Sequence, residues 1–251
     1  MDLLECREIS KAFRQGAHRV QALSQVSLRL APGEALGIVG ESGSGKSTLL
    51  RIIAGLEGCD SGEIRMQGKS MSRNRSRADR HTMQMVFQNA GASFNPRRRI
   101  CSSIREVMNN LLGDAPASVI DSLAQAVGMD PEYLDRYPSQ LSGGQCQRFA
   151  IARAIAVRPQ ILLCDEITSA LDVTTQEQII QLLNKLRQES TMSMIFVSHD
   201  LAVVGKVCDR ILVMREGKIL EEGPTKELLL HPQEDYTKQL LESVLEVDIP
   251  C

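Results

Sequence analysis

The sequence predicts an α/β fold: a core with a mainly parallel sheet, an antiparallel β subdomain at the N-terminus, and an α-helical subdomain inserted into the core. Three observations carry this. Short apolar or β-branched runs alternate with helical stretches, the pattern of a parallel sheet. One run leads directly into a glycine-rich turn that opens a helix. From about Ser93 to Gln140 the spacing is helical, with no strand between.

Leu3–Ile9 and Val26–Leu30 read as the first strands, and Glu63–Gln67 as a third. Ala35–Val39 is continuously apolar, as a strand buried on both faces must be. Ser47–Leu56 reads as the helix after the turn, and Gln84–Phe87 as another short strand. Ile161–Cys164 and Met194–Val197 are two more buried-strand runs, with helical periodicity over Val173–Gln188 between them. Arg210–Met214 and Lys218–Leu220 read as a hairpin about Glu216-Gly217. In the insertion, Ile104, Val107, Met108, Leu111 and Leu112, then Val119, Ile120, Leu123 and Val127, space as amphipathic helices. One domain is expected over residues 1–251, with the helical insertion over about 93–150 and a tail over about 223–251. The basic residues Arg73, Arg75, Arg77 and Arg80 read as a solvated loop, with a partner contact as the other reading; the same holds for Arg97-Arg98-Arg99.

A chain of 251 residues, 43% hydrophobic and 24% charged, has the composition of a folded domain with a core. Its net charge of −2 gives no electrostatic reason for nucleic-acid binding, and no nucleic-acid partner is expected. The seven cysteines are odd in number and none shows C-x-x-C spacing, which points to reduced thiols. No run of 18 apolar residues is present and no signal peptide is expected at Met1–Glu5, so work at a membrane means docking on other chains.

Gly40-Glu41-Ser42-Gly43-Ser44-Gly45-Lys46-Ser47-Thr48 fits G-x-x-x-x-G-K-S/T, between an apolar strand and a helix. The glycines let successive backbone N–H groups turn onto an anion, and the helix N-terminus adds free donors and a positive dipole end. Lys46 supplies a point charge for β/γ-phosphates and Ser47 a hydroxyl for Mg²⁺, so the core is that of a P-loop NTPase. Ile161–Cys164 runs into Asp165 and Glu166. The first is placed to hold Mg²⁺ and the second to polarise an attacking water. Leu141-Ser142-Gly143-Gly144-Gln145 makes a second anion-facing helix start; an ordinary N-cap by Ser142 is the alternative.

Leu141–Gln145 matches the signature of the ABC ATPases, and with it the whole chain resembles that family. By that resemblance Phe13 stacks on adenine, with core packing as the alternative, and Gln88 is the Q-loop residue that touches Mg²⁺ and water. Ser169-Ala170-Leu171-Asp172 is similar to the D-loop, which places Asp172 beside nucleotide, and His199 matches the switch histidine. The family works as head-to-tail pairs, so Ser142, Gly143, Gly144 and Gln145 would complete the partner's ATP.

Three segments resemble the peptide/nickel importer branch: Ser93-Phe94-Asn95-Pro96-Arg97, Tyr137-Pro138-Ser139-Gln140, and His231-Pro232 with Tyr236-Thr237-Lys238-Gln239-Leu240-Leu241. The resemblance implies a bacterial importer of peptides, nickel or metal–chelator complexes. The ATPase would sit on the cytoplasmic face of the membrane with a second ATPase subunit, different or identical. It would dock on two integral permease subunits served by an extracytoplasmic solute-binding protein. The chain departs from the branch in three places: it ends at Cys251 without a cysteine cluster, Ile167 replaces the usual proline after Glu166, and Cys146 follows the signature. The first two departures resemble the second ATPase of nickel or metallophore systems. A rival reading is an accessory ATPase serving a soluble enzyme complex such as a carbon–phosphorus lyase. Two-cassette DNA-repair or translation proteins do not fit, since the chain has one cassette and no long coiled coil. A P-loop kinase or GTPase does not fit because of Leu141–Gln145 and the lack of a guanine-reading N-K-x-D.

Overall fold

The computed structural model describes residues 2–15 and 18–245. Cys251 lies outside them. In chain order the strands are β1 (Leu4–Gln15), β2 (His18–Leu30), β3 (Ala35–Val39), β4 (Ser61–Met66), β5 (Lys69–Ser70), β6 (Met83–Val86), β7 (Ile161–Asp165), β8 (Ser193–Ser198), β9 (Arg210–Arg215) and β10 (Lys218–Pro224). The helices are α1 (Lys46–Ala54), α2 (Arg77–Thr82), α3 (Ile100–Leu111), α4 (Ala117–Ala126), α5 (Gly143–Ile155), α6 (Val173–Glu189), α7 (Leu201–Val207), α8 (Thr225–Leu230) and α9 (Asp235–Leu245). They group into two compact units. One holds the chain up to Arg75 and from Ser193 onward; the other is Ser76–Met192.

In the first unit, β3 is buried at all five positions and runs parallel to β8 on one side and β9 on the other. Two buried faces explain why the strand contains no polar residue. Gly37 is needed where α7 crosses, because a Cβ there would sit 2.2 Å from Val204 Cγ1. β9 turns back antiparallel into β10. A separate antiparallel sheet in the order β2-β1-β4-β5 forms the predicted N-terminal β subdomain.

In the second unit, β6 and β7 pair in parallel. Between them lie helices without a strand among the described residues. α3 buries Ile100, Ile104 and Met108, and α4 buries Ile120 and Ala124, the i, i+4 spacing of amphipathic helices. Leu112 and Val119 of the predicted stripe fall outside it and are exposed. Short 3₁₀ turns at Pro131–Asp135 and Pro138–Gln140, unread in the sequence, lead into α5. That helix buries Phe149, Ala150, Ile151 and Ala154.

The basic run departs in part from the solvated-loop expectation, which holds for Arg73, exposed in a loop. Arg77 and Arg80 lie in α2, capped by a reciprocal Ser76/Asp79 box. Arg75 is half-buried, and its Nη2 donates to the carbonyls of Ile52 (3.2 Å) and Ile53 (2.7 Å). Both carbonyls lie in the last turn of α1, and that of Ile52 also accepts from the Gly55 N–H at 3.0 Å. Arg98 and Arg99 do behave as a surface run, pairing with Glu106 and Asp135.

Candidate active site

The predicted site residues divide between the two units. In the first, the chain leaves β3 at Gly40 and enters α1 at Lys46. Gly45 is the N-cap of α1, at φ 103 and with no side-chain cap. A Cβ on it would also meet the Ala22 carbonyl oxygen at 2.4 Å, so only glycine fits. By contrast α5, α6 and α7 begin on capping side chains: Ser142, Asp172 and Asp200. α1 has no side-chain acceptor at its cap and no acidic residue in its first turn, and a helix start of that kind suits an anion.

Lys46 is 4% exposed. Its Nζ donates to the carbonyls of Gly40 (2.7 Å) and Glu41 (2.8 Å) and to Ser44 Oγ (3.4 Å). Ser47 and Thr48 are half-buried in the first turn of α1. Ser42 and Gly43 are exposed at the loop's crest. Phe13 lies on β1 opposite Val20, 40% exposed, which removes the core-packing alternative. Lys11 holds the ring, with Nζ 5.2 Å from its centroid. Lys11 is itself anchored 3.0 Å from Glu57 and 3.7 Å from Asp60. His199 is exposed immediately after β8.

In the second unit, Asp165 is buried at the carboxyl end of β7, where open α/β sheets place ligands. Glu166 follows at φ 47, a left-handed conformation that costs a non-glycine residue about 1–2 kcal/mol. Neighbours fix it there. The Ser169 N–H (3.2 Å) and hydroxyl (2.9 Å) donate to its carbonyl. Gln88 Nε2 donates to Glu166 Oε2 and to Ser169 Oγ, each at 3.1 Å. Gln88, Gly143, Gln147, Ala170 and Leu171 line a cavity of about 360 Å³, so Q-loop, signature and D-loop segments meet in this unit.

Ser142 caps α5 through a reciprocal box: its Oγ accepts from the Gln145 N–H (3.2 Å), and Gln145 Oε1 accepts from the Ser142 N–H (2.9 Å). A Cβ on Gly144 would lie 2.5 Å from Thr175 Cγ2, which sets how closely α5 approaches α6. Asp172 caps α6, accepting from the Thr175 N–H (2.9 Å) and hydroxyl (2.7 Å), and these bonds hold its carboxyl below the usual aspartate range. Cys146 is buried and its thiol donates to the Pro138 carbonyl at 3.5 Å, which accounts for a nonpolar residue after the signature. Sequence reasoning did not single out Lys11, Thr175 or the role of Ser169. Ser169 was legible as part of the D-loop match; the other two carried no signal.

A family model described as ABC transporter matches residues 23–169, from β2 past Ser142, Asp165 and Glu166. The chain belongs to the ABC transporter family. This ABC protein is 41% identical over 255 residues to an oligopeptide transport ATP-binding protein, OppF, of Streptococcus mutans, covering 98% of this chain and 82% of that one. It is 41% identical over 246 residues to a di/tripeptide transport ATP-binding protein, DppF, of Pseudomonas aeruginosa, covering 96% and 76%. Among solved structures it resembles the dimeric, post-hydrolysis ATP-binding cassette MJ0796 bound to ADP and Pi. The TM-score is 0.80 and the identity 30%, over 88% of this chain and 98% of that one. It is thus an ABC ATPase, and ATP is its nucleotide.

Proposed function

We propose that this ABC ATPase is the ATP-hydrolysing subunit of a bacterial peptide importer. The observation that carries the reading is similarity along nearly the whole chain to ATP-binding proteins named for oligopeptide and di/tripeptide transport. These names favour peptides over the nickel or metallophore cargo that the branch resemblance also allows. They also speak against service to a soluble carbon–phosphorus lyase. No helix among the described residues is long and apolar enough to cross a membrane. The ATPase therefore docks, on the cytoplasmic face, against two permease subunits and beside a second ATPase.

Each side chain has a role in this reading. Phe13 stacks on adenine. The α1 N–H groups and Lys46 hold the β- and γ-phosphates, with Gly40–Thr48 wrapping them. Phosphoryl transfer needs positioning and charge neutralisation more than covalent chemistry. By the family resemblance, Ser47, Asp165 and Gln88 would each offer an oxygen to Mg²⁺, a hard cation that takes oxygen ligands and would supply charge neutralisation on the phosphates. Glu166 orients the attacking water and takes its proton, and Gln88 and Ser169 keep its carboxylate and backbone in place. His199 contacts the γ-phosphate. Ser142, Gly143, Gly144, Gln145 and Asp172 face the nucleotide of the second ATPase, and hydrolysis releases the pair.

Glu166→Gln is expected to keep ATP binding while slowing hydrolysis roughly 10²–10⁴-fold, the worth of a general base. Turnover close to wild type would remove Glu166 from the mechanism. The same variant, tagged and recovered from gently solubilised membranes with ATP, tests the transport reading. Two polytopic membrane proteins and a second ATPase are expected to co-purify. Recovery of a soluble enzyme complex alone would replace the importer with the rival reading.

A further inference from the structure

We propose that Tyr236 is a positioning residue of the phosphate-binding loop, and that α9 fixes the loop's geometry through it. The inference rests on the nucleotide reading of Gly40–Thr48. The peptide joining Gly40 to Glu41 is gripped at both ends. Its N–H, on Glu41, donates to the Tyr236 hydroxyl at 3.0 Å, and its C=O, on Gly40, accepts from Lys46 Nζ at 2.7 Å. A peptide is planar, so its N–H and C=O turn together. Gly40, at φ 149, has no side chain to resist that rotation. The Tyr236 hydroxyl therefore sets whether the Gly40 carbonyl faces Lys46.

The tyrosine is built into place. It is 5% exposed, and the Arg215 guanidinium stacks on its ring at 4.8 Å from the centroid. The chain just before α9 is tied to β10: Glu221 accepts the N–H groups of Gln233 (2.9 Å) and Glu234 (3.2 Å) on its two carboxylate oxygens. The turn between β9 and β10 reaches the same loop, where the Gly217 N–H donates to the Ser44 carbonyl at 3.0 Å. The hairpin and the helix after it thus hold the loop at Glu41 and at Ser44. This gives the His231-Pro232…Tyr236-Thr237 segment a role that the hydrolysis chemistry alone does not.

Tyr236→Phe keeps the ring and its stacking and removes only the acceptor. The experiment measures ATP binding by calorimetry, steady-state ATPase and thermal melting on the full chain. Tyr133→Phe, whose ring stacks on Arg136 in the other unit, is the control. The net worth of one hydrogen bond predicts ATP affinity about five-fold weaker and KM about five-fold higher in Tyr236→Phe. kcat is expected to stay within about two-fold and the melting temperature to fall by no more than about 2–4 °C, the share of one hydrogen bond. Wild-type affinity in Tyr236→Phe would overturn the proposal. So would a loss that follows a fall in melting temperature and appears equally in Tyr133→Phe. A wild-type chain that binds no ATP would overturn the nucleotide reading and this inference together.

Discussion

Gln88 and Glu166 are joined by a hydrogen bond of 3.1 Å from the amide nitrogen to the carboxylate, and the same amide reaches Ser169 at 3.1 Å. The base proposed to direct water is therefore held by two side chains and sits on a backbone in the left-handed region. Strain of this kind persists only where surroundings over-determine it. Gln88→Ala removes one of the bonds that hold the carboxylate. The expected result is a fall of about ten-fold in kcat, with ATP affinity changed less than about three-fold, since a bond to a charged group contributes about 1.5–3 kcal/mol. A matched loss of binding and turnover would show that Gln88 acts on nucleotide binding instead.

Phe13 is 40% exposed, so removing its ring costs the fold little. Base–aromatic stacking is worth about 1–3 kcal/mol, so Phe13→Ala is expected to weaken ATP binding by about 5- to 150-fold. Phe13→Trp is expected to restore it. Calorimetric titration of the two variants checks this, with unchanged melting temperatures as the control for folding.

Gly144 and Thr175 make a paired prediction. Gly144→Ala forces a methyl to within 2.5 Å of Thr175 Cγ2 and is expected to destabilise the chain by about 1–3 kcal/mol, the usual range for overpacking. Thr175→Ser removes that methyl and keeps the hydroxyl that binds Asp172. The double variant is therefore expected to melt above Gly144→Ala alone. Additive losses in the double variant would mean that the two sites do not meet.

Glu221 predicts a pH dependence. Burial pushes its carboxyl up, but the Gln233 N–H, the Thr237 hydroxyl, the Glu234 N–H and the charge of Lys238 together outweigh this and hold it below the ordinary glutamate value of 4.5. A carboxylate held low adds stability that is present above that value and is lost as the pH falls through its lower folded value. Wild type is expected to melt above Glu221→Gln at pH 7. The gap is expected to narrow below about pH 4.5, as measured by thermal melts across that range.

Legibility in the sequence followed burial. β3, β7 and β8 are buried throughout, and their apolar runs gave their positions to within a residue or so. The first half of β2, His18–Gln25, mixes polar and apolar residues in a sheet with much of one face exposed, and it carried no such run. α2 has no buried residue at all, so periodicity could not reveal it. Its signal was the Ser76-x-x-Asp79 capping box, which was there to be read. The site motifs stood out because anion-binding turns demand glycine, lysine and hydroxyl residues at fixed spacings. The supports of the site did not. Lys11, Arg75, Thr175 and Tyr236 act through contacts with segments distant in sequence or through the exact approach of two helices, and no local pattern encodes those.

Lys46 meets any ligand with its ammonium already engaged. Its ammonium already holds two carbonyls and a hydroxyl within the loop. A ligand gains only the excess of its attraction over those acceptors. In the nucleotide reading, a weakly charged anion would leave the lysine where it is, whereas the dense charge of a triphosphate would draw it away. On that reading, discrimination against small anions would be set by what the lysine has to give up.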